Sequence, residues 1–92
     1  MKKKPEMKIF DFSLMFEMPN DDFDPDELVK KLQNIGCHDA TITVEENSRI
    51  YINFMRNHTE GLLAIGSAFG DVHKAIPEAK SVSGMMIVRN YK

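Results

Sequence analysis

The segment from Lys8 to Met18 places Phe10, Phe12, Leu14, Phe16 and Met18 at alternate positions, with Asp11, Ser13, Met15 and Glu17 between them. Side chains in an extended strand point alternately to its two faces, so this run predicts a strand with one strongly apolar face. A face carrying three phenylalanines must be covered by other elements of the chain. With 92 residues and 10.5 kDa in all, that cover has to form around a single core.

The covering elements are readable from their punctuation. Pro19-Asn20-Asp21-Asp22 ends the strand with turn-forming residues. Phe23-Asp24-Pro25-Asp26-Glu27-Leu28 then has the form of a helix start. Asp24 is suited to cap, Pro25 to the first helical position, Glu27 to close a capping box, and Phe23 to staple onto Leu28. Leu28, Val29, Leu32 and Ile35 form the expected buried stripe, and Gly36 the left-handed stop. Ala40, Ile42 and Val44 alternate with polar residues, as do Ile50, Ile52 and Phe54, and Glu46-Asn47-Ser48 joins the two runs as a hairpin.

A second helix is predicted to open between Asn57 and Glu60, with Leu62, Ile65, Phe69, Val72 and Ile76 facing inward and Pro77 at its end. Gly66 and Gly70 each cost about 1 kcal/mol relative to Ala inside a helix, which suggests close approach to the sheet. Lys80 to Arg89 reads as a last strand of ambiguous register. Either Val82, Met86 and Val88 or Met85 and Ile87 point inward, and Gly84 is a candidate bulge. The order strand, helix, strand, strand, helix, strand, joined by right-handed crossovers, predicts an α+β, ferredoxin-like βαββαβ sandwich: a four-stranded antiparallel sheet with both helices on one face. The domain spans residues 8–92, preceded by a basic arm over residues 1–7 that carries Lys2, Lys3 and Lys4.

Composition narrows the function classes. Lys plus Arg is 12 and Asp plus Glu 14, a net charge of −2, which argues against a dedicated nucleic-acid binder. A single Cys excludes an internal disulfide. The run after the N-terminal lysines lacks the apolar core of a secretion signal, and no long apolar span occurs, so a cytoplasmic protein is expected.

Candidate chemistry is sparse. Cys37 and His38 are adjacent, and adjacency in extended chain points their side chains apart, so they do not form a nucleophile and base. His58 and His73 lack the spacing and Cys partners of a zinc site. Asp11 and Glu17 stand about 20 Å apart along a strand, too far for paired-carboxylate catalysis. Asp11 is expected to pair with Arg49 or Arg56 across the sheet. No phosphate loop, serine elbow or dinucleotide fingerprint is present. No catalytic, metal or cofactor site is assigned, and the expectation is a protein that is not an enzyme.

Two surfaces remain as binding candidates. On the open sheet face Met15, Tyr51, Met55 and Arg49 combine adaptable, aromatic and basic groups suited to a protein interface. Glu17, Asp21, Asp22 and Asp26 form an acidic surface near the first helix, able to imitate a phosphate backbone or simply to solvate a helix start.

The runs FDFSLMF, GCHDATI, INFMR and AIGSAFGDV resemble a small bacterial regulator domain of antitoxin or DNA-binding type that often precedes a helix-turn-helix. Gly36, Cys37, Asp39 and Ala40 match that family's Gly-Cys-Asp-Asp-Ala run, with His38 replacing its first Asp, while Asn53 and Met55 stand where acidic residues are usual. No helix-turn-helix follows within these 92 residues, so the DNA-reading part of the resemblance is not carried over. The resemblance implies a module that associates with itself or with another protein. In size and charge the chain is also similar to phage-borne inhibitors such as anti-CRISPR proteins. The expected function is a non-enzymatic regulatory or inhibitory protein-binding module, the expected partners being a second copy as a homodimer or a nucleic-acid-handling complex. The alternative is a small-ligand sensor of the amino-acid-binding βαββαβ type, although Pro19-Asn20-Asp21-Asp22 lacks the glycine turn usual there.

Overall fold

A computed structural model describes residues 7–91, with residues 83–91 described by their backbone. Of the basic arm, all but Met7 lies outside the described residues. The elements are β1 (Lys8–Glu17), α1 (Pro25–Asn34), β2 (Ala40–Val44), β3 (Arg49–His58), α2 (Gly61–Ala75) and β4 (Lys80–Tyr91). The four strands form one antiparallel sheet in the order β2-β3-β1-β4, an α+β arrangement with an open sheet and two helices.

β1 takes a central place beside β3, with a neighbouring strand on each side and its alternating apolar set facing the core. It pairs with β3 from Lys8 opposite His58 to Glu17 opposite Arg49. Phe10, Phe12, Leu14 and Phe16 are buried with Ile50, Ile52 and Phe54, and with Leu28, Leu32, Ala64, Ala68, Val72 and Ile76 from the two helices. Phe12 stacks on Phe54 with ring centroids 5.4 Å apart, and Phe16 meets Phe69 edge-on at 5.9 Å.

The first helix starts and stops where its signals lie. The Asp24 side chain accepts a hydrogen bond from Asp26 N at 3.0 Å, and Pro25 is the first helical residue. Glu27 contributes its backbone N–H, which donates to Asp24 O. At the other end Cys37 N donates to Leu32 O and Gly36 N to Gln33 O, with Gly36 at φ 91°, a Schellman stop that turns Cys37 back into the core. The hairpin turn is tight enough to hold Asn47 and Ser48 both at φ 61°.

Several expectations are corrected. α2 begins at Gly61 behind Glu60, whose side chain makes no capping bond; His58 Nδ1 instead accepts from Thr59 N and Glu60 N. Its buried stripe is Ala64, Ala68 and Val72, and Leu62 is 84% exposed. Small alanines let the helix lie close to the phenylalanine layer, which rotates Leu62 outward. Gly66 and Gly70 do not serve that approach: both are exposed, and a Cβ added at either would meet nothing within 4 Å. Val44 is exposed because β2 is an edge strand that reaches past the helices' cover.

β4 pairs Met86 opposite Leu14 and Val88 opposite Phe12, whereas Ser81 lies opposite Phe16. β4 therefore advances five residues while β1 advances two, and the excess, Val82 to Met85, contains Gly84. This register gives Met86 and Val88 the positions opposite the core residues of β1. The inward or outward placing of Met85 and Ile87 as side chains lies outside the described residues.

Candidate functional site

The most organised polar constellation gathers around Arg56, on the core side of β3 at the end where α2 begins. Each element delivers its partner by a local rule. The Schellman turn after α1 brings Cys37 and Asp39 alongside β3, and Ser67 and Asp71, four apart, share one flank of α2. Arg56 donates to Asp39 through Nε to Oδ2 at 2.8 Å and Nη2 to Oδ1 at 2.9 Å, a bidentate fork. Its Nη2 also reaches Asp71 Oδ2 at 2.9 Å and Cys37 Sγ at 3.3 Å, while Nη1 donates to Ser67 Oγ at 3.0 Å. The guanidinium carbon sits 5.1 Å from the Phe54 ring centroid.

Only 11% of the Arg56 side chain is exposed, so each partner acts in a partly dry setting. The hydrogen bond with Asp39 raises the Arg56 pKa above its ordinary value against the opposing effect of burial. Burial raises that of Asp39, but hydrogen bonds from Arg56 and Cys37 and the Arg56 charge outweigh it and hold the carboxyl below its ordinary value. Burial first, then the hydrogen bond to Asp39 and its charge, push the Cys37 thiol up to about 11. The thiol donates to Asp39 Oδ1 at 3.3 Å and stays protonated at neutral pH, where a nucleophile would need to be ionised. Every charged group in the cluster is matched, and what the arrangement does is clamp the α1–β2 connection, β3 and α2 together. Sequence reasoning missed it, although the i, i+4 pair Ser67 and Asp71 on a largely apolar helix was an available signal.

The open sheet face differs from the expected apolar patch. Met15 is 5% exposed, opposite Tyr51 on β3 and at the point where the β4 register shifts; it is therefore withdrawn as a contact residue. Tyr51 is half-buried, while Met55 and Arg49 are exposed. Between them the face is polar. Asn53 Nδ2 donates to Asp11 Oδ1 at 2.8 Å, to Ser13 Oγ at 3.0 Å and to Phe12 O at 3.2 Å. Asp11 is thus bonded to Asn53 and not to either expected arginine: Arg49 stands 3.9 Å from Glu17, and Arg56 points to the opposite side of the sheet.

The acidic residues occupy several local roles. Glu17 is near Arg49, Asp21 accepts from Ser48 Oγ at 2.6 Å, Asp22 donates its N–H to Asn20 Oδ1, and Asp26 donates its N–H to the cap. A cavity of about 270 Å³ beside them is lined by Asp22, Asp24, Glu27, Lys31 and Glu78 among others. Among the described residues, no group of three or more His, Cys, Asp or Glu side chains is placed to hold a metal ion. No described helix is long and apolar enough to cross a membrane.

Among the described residues, exposed large apolar side chains are unevenly distributed. Met7, Ile9, Met55, Leu62 and Leu63 all lie toward the end where Lys8 pairs with His58 and α2 begins, and Val44 is at the other end. Comparisons of the chain with known protein families, curated proteins and solved structures found no match.

Proposed function

We propose that this protein is a non-enzymatic regulatory or inhibitory module, antitoxin-like or anti-CRISPR-like, acting by surface association with a protein partner on a ferredoxin-like βαββαβ frame. The carrying observation is the gathering of Met7, Ile9 and Met55, all exposed, at one end of the sheet. Apolar surface concentrated in this way and rimmed by polar groups marks an interaction site, whereas scattered single residues do not. Met55 and Ile9 stand on the open face, and the flexible Met adapts to a partner's contour at little strain. The Arg56 cluster supports the same reading as a rigid clamp behind the docking end, with its charges spent on one another.

The test is affinity capture from the source cell with the natural protein and with an Ile9→Glu, Met55→Glu variant. A protein retained in stoichiometric amount by the first and lost by the second is expected. Equal capture by both, or capture by neither, contradicts the reading.

A further inference from the structure

α2 has three kinds of surface. Ala64, Ala68 and Val72 enter the core, Ser67 and Asp71 bond Arg56, and the remaining face presents Leu62, Leu63, Gly66, Gly70, His73 and Lys74, all exposed. Single exposed leucines are ordinary on a protein surface. Here Leu62 is 84% and Leu63 53% exposed, adjacent, and set in a stretch from Gly61 to Gly70 that contains no charged residue. A helix that is apolar around its whole circumference belongs to a buried environment.

Asp71 is drawn to Arg56, and the remaining charged or basic side chains are polarised along the axis. Glu60 is exposed at the N-terminal end, and His73 and Lys74 are exposed in the last turn. A helix laid antiparallel on this face would place its own acidic end on the basic end and its basic end on the acidic end. A second copy of α2 has this charge distribution. Turned about a two-fold axis at the level of Ala68, it sets Gly66 against Gly70, Leu63 against His73 and Leu62 against the aliphatic stem of Lys74, with Glu60 in reach of the Lys74 ammonium. The two helix macrodipoles also run antiparallel. The glycines fit the same arrangement. Neither has a neighbour inside the protomer that a Cβ would strike, and glycine without a side chain allows helix axes to approach to the short end of the usual 8–10 Å.

We infer that the outer face of α2 is the interface of a homodimer, formed by antiparallel packing of α2 on α2 with Gly66 of each copy against Gly70 of the other. The inference rests on the surface-association reading and adds a second copy of the chain as one occupant, on a face separate from Ile9 and Met55. One helix face is a small interface, so the dimer is a concentration-dependent one, with dissociation in the micromolar range.

Sedimentation velocity from about 1 μM to about 1 mM tests it. The natural chain is expected to move from monomer to dimer across that range. Gly66→Glu and Gly70→Lys, each alone, crowd the contact and are expected to weaken the dimer by tenfold or more. Both substitutions replace an exposed helical glycine by a better helix former, so each variant is expected to melt no lower than the natural chain, which separates lost association from lost folding. A natural chain that remains monomeric throughout, or a dimer indifferent to both substitutions, overturns the inference. Capture of a partner through Ile9 and Met55 is a separate readout, so either proposal can fail while the other stands.

Discussion

Two sides of the same helix invert the usual distribution of polarity. On the flank of α2 that faces β3, a guanidinium is withdrawn from water and bonded to Asp39, Asp71, Ser67 and Cys37. On its outer face two leucines stand in solvent beside two glycines. A charge removed from water is tolerable only when its donors and acceptors are matched, and the inner flank meets that condition completely. The outer face meets no such condition within the protomer. The contrast separates a part of the helix that holds the fold together from a part that makes no such bonds within the described residues.

Breaking the inner flank has the largest expected effect. Arg56→Ala leaves Asp39 and Asp71 without their cation and is expected to cost about 3 kcal/mol in urea unfolding. Leu62→Ser, measured at a concentration where the chain is monomeric, is expected to stay within about 0.5 kcal/mol of the natural protein. Equal costs for the two would abolish the distinction between the flanks. Arg56→Leu combined with Asp39→Asn and Asp71→Asn is expected to recover most of the loss, since a neutral set removes the unpaired charges together with the pair.

A smaller effect sharpens the role of Asp39. Its carboxyl is held below the ordinary value near 3.8, so the folded state binds this proton less readily than the unfolded chain. Its contribution is present above that ordinary value and is lost as pH falls through the folded-state pKa. Asp39→Asn should therefore flatten the acid limb of a stability-against-pH curve. An acid limb unchanged by the substitution would show that the carboxylate's partners do not favour its ionised form.

The smallest effect lies at the alkaline end. The Cys37 thiol is raised from 9.0 to about 11, so its contribution is complete below pH 9 and declines as pH rises toward 11, where the folded protein too must ionise it. Cys37→Ala is expected to remove that decline whatever its effect on stability at neutral pH. The same shift predicts slow reaction of the folded thiol with a disulfide reagent at pH 8 and fast reaction in urea. Equal rates in both conditions would place Cys37 outside the clamp.

Much of the frame was legible because it is encoded locally. The period of two in β1, the Asp24-Pro25 start, the Gly36 stop and the Asn47-Ser48 turn each work within a few residues, and each is where it was expected. In α2 the expected Val72 and Ile76 are buried and Ile65 and Phe69 pack against the core, whereas Leu62 does not and Ala64 and Ala68 do. Against a layer of phenylalanines the available space suits alanine, so the stripe of small residues went in and Leu62 went out.

Met15 shows the same limit on the sheet. Its alternation with Leu14 and Phe16 places it on the open face, but it is 5% exposed there, which no property of the β1 sequence contains. The Arg56 cluster is more distant still, since its members come from the loop after α1, from β3 and from α2. Sequence alone determined the element order, the face of each central strand and the ends of α1, because backbone geometry and side-chain alternation act between neighbours. Tertiary structure alone decided that Ala64 and Ala68 rather than Leu62 line the core side of α2, which methionine is accessible and which carboxylates share the arginine, because volume and charge are matched between segments far apart in the chain.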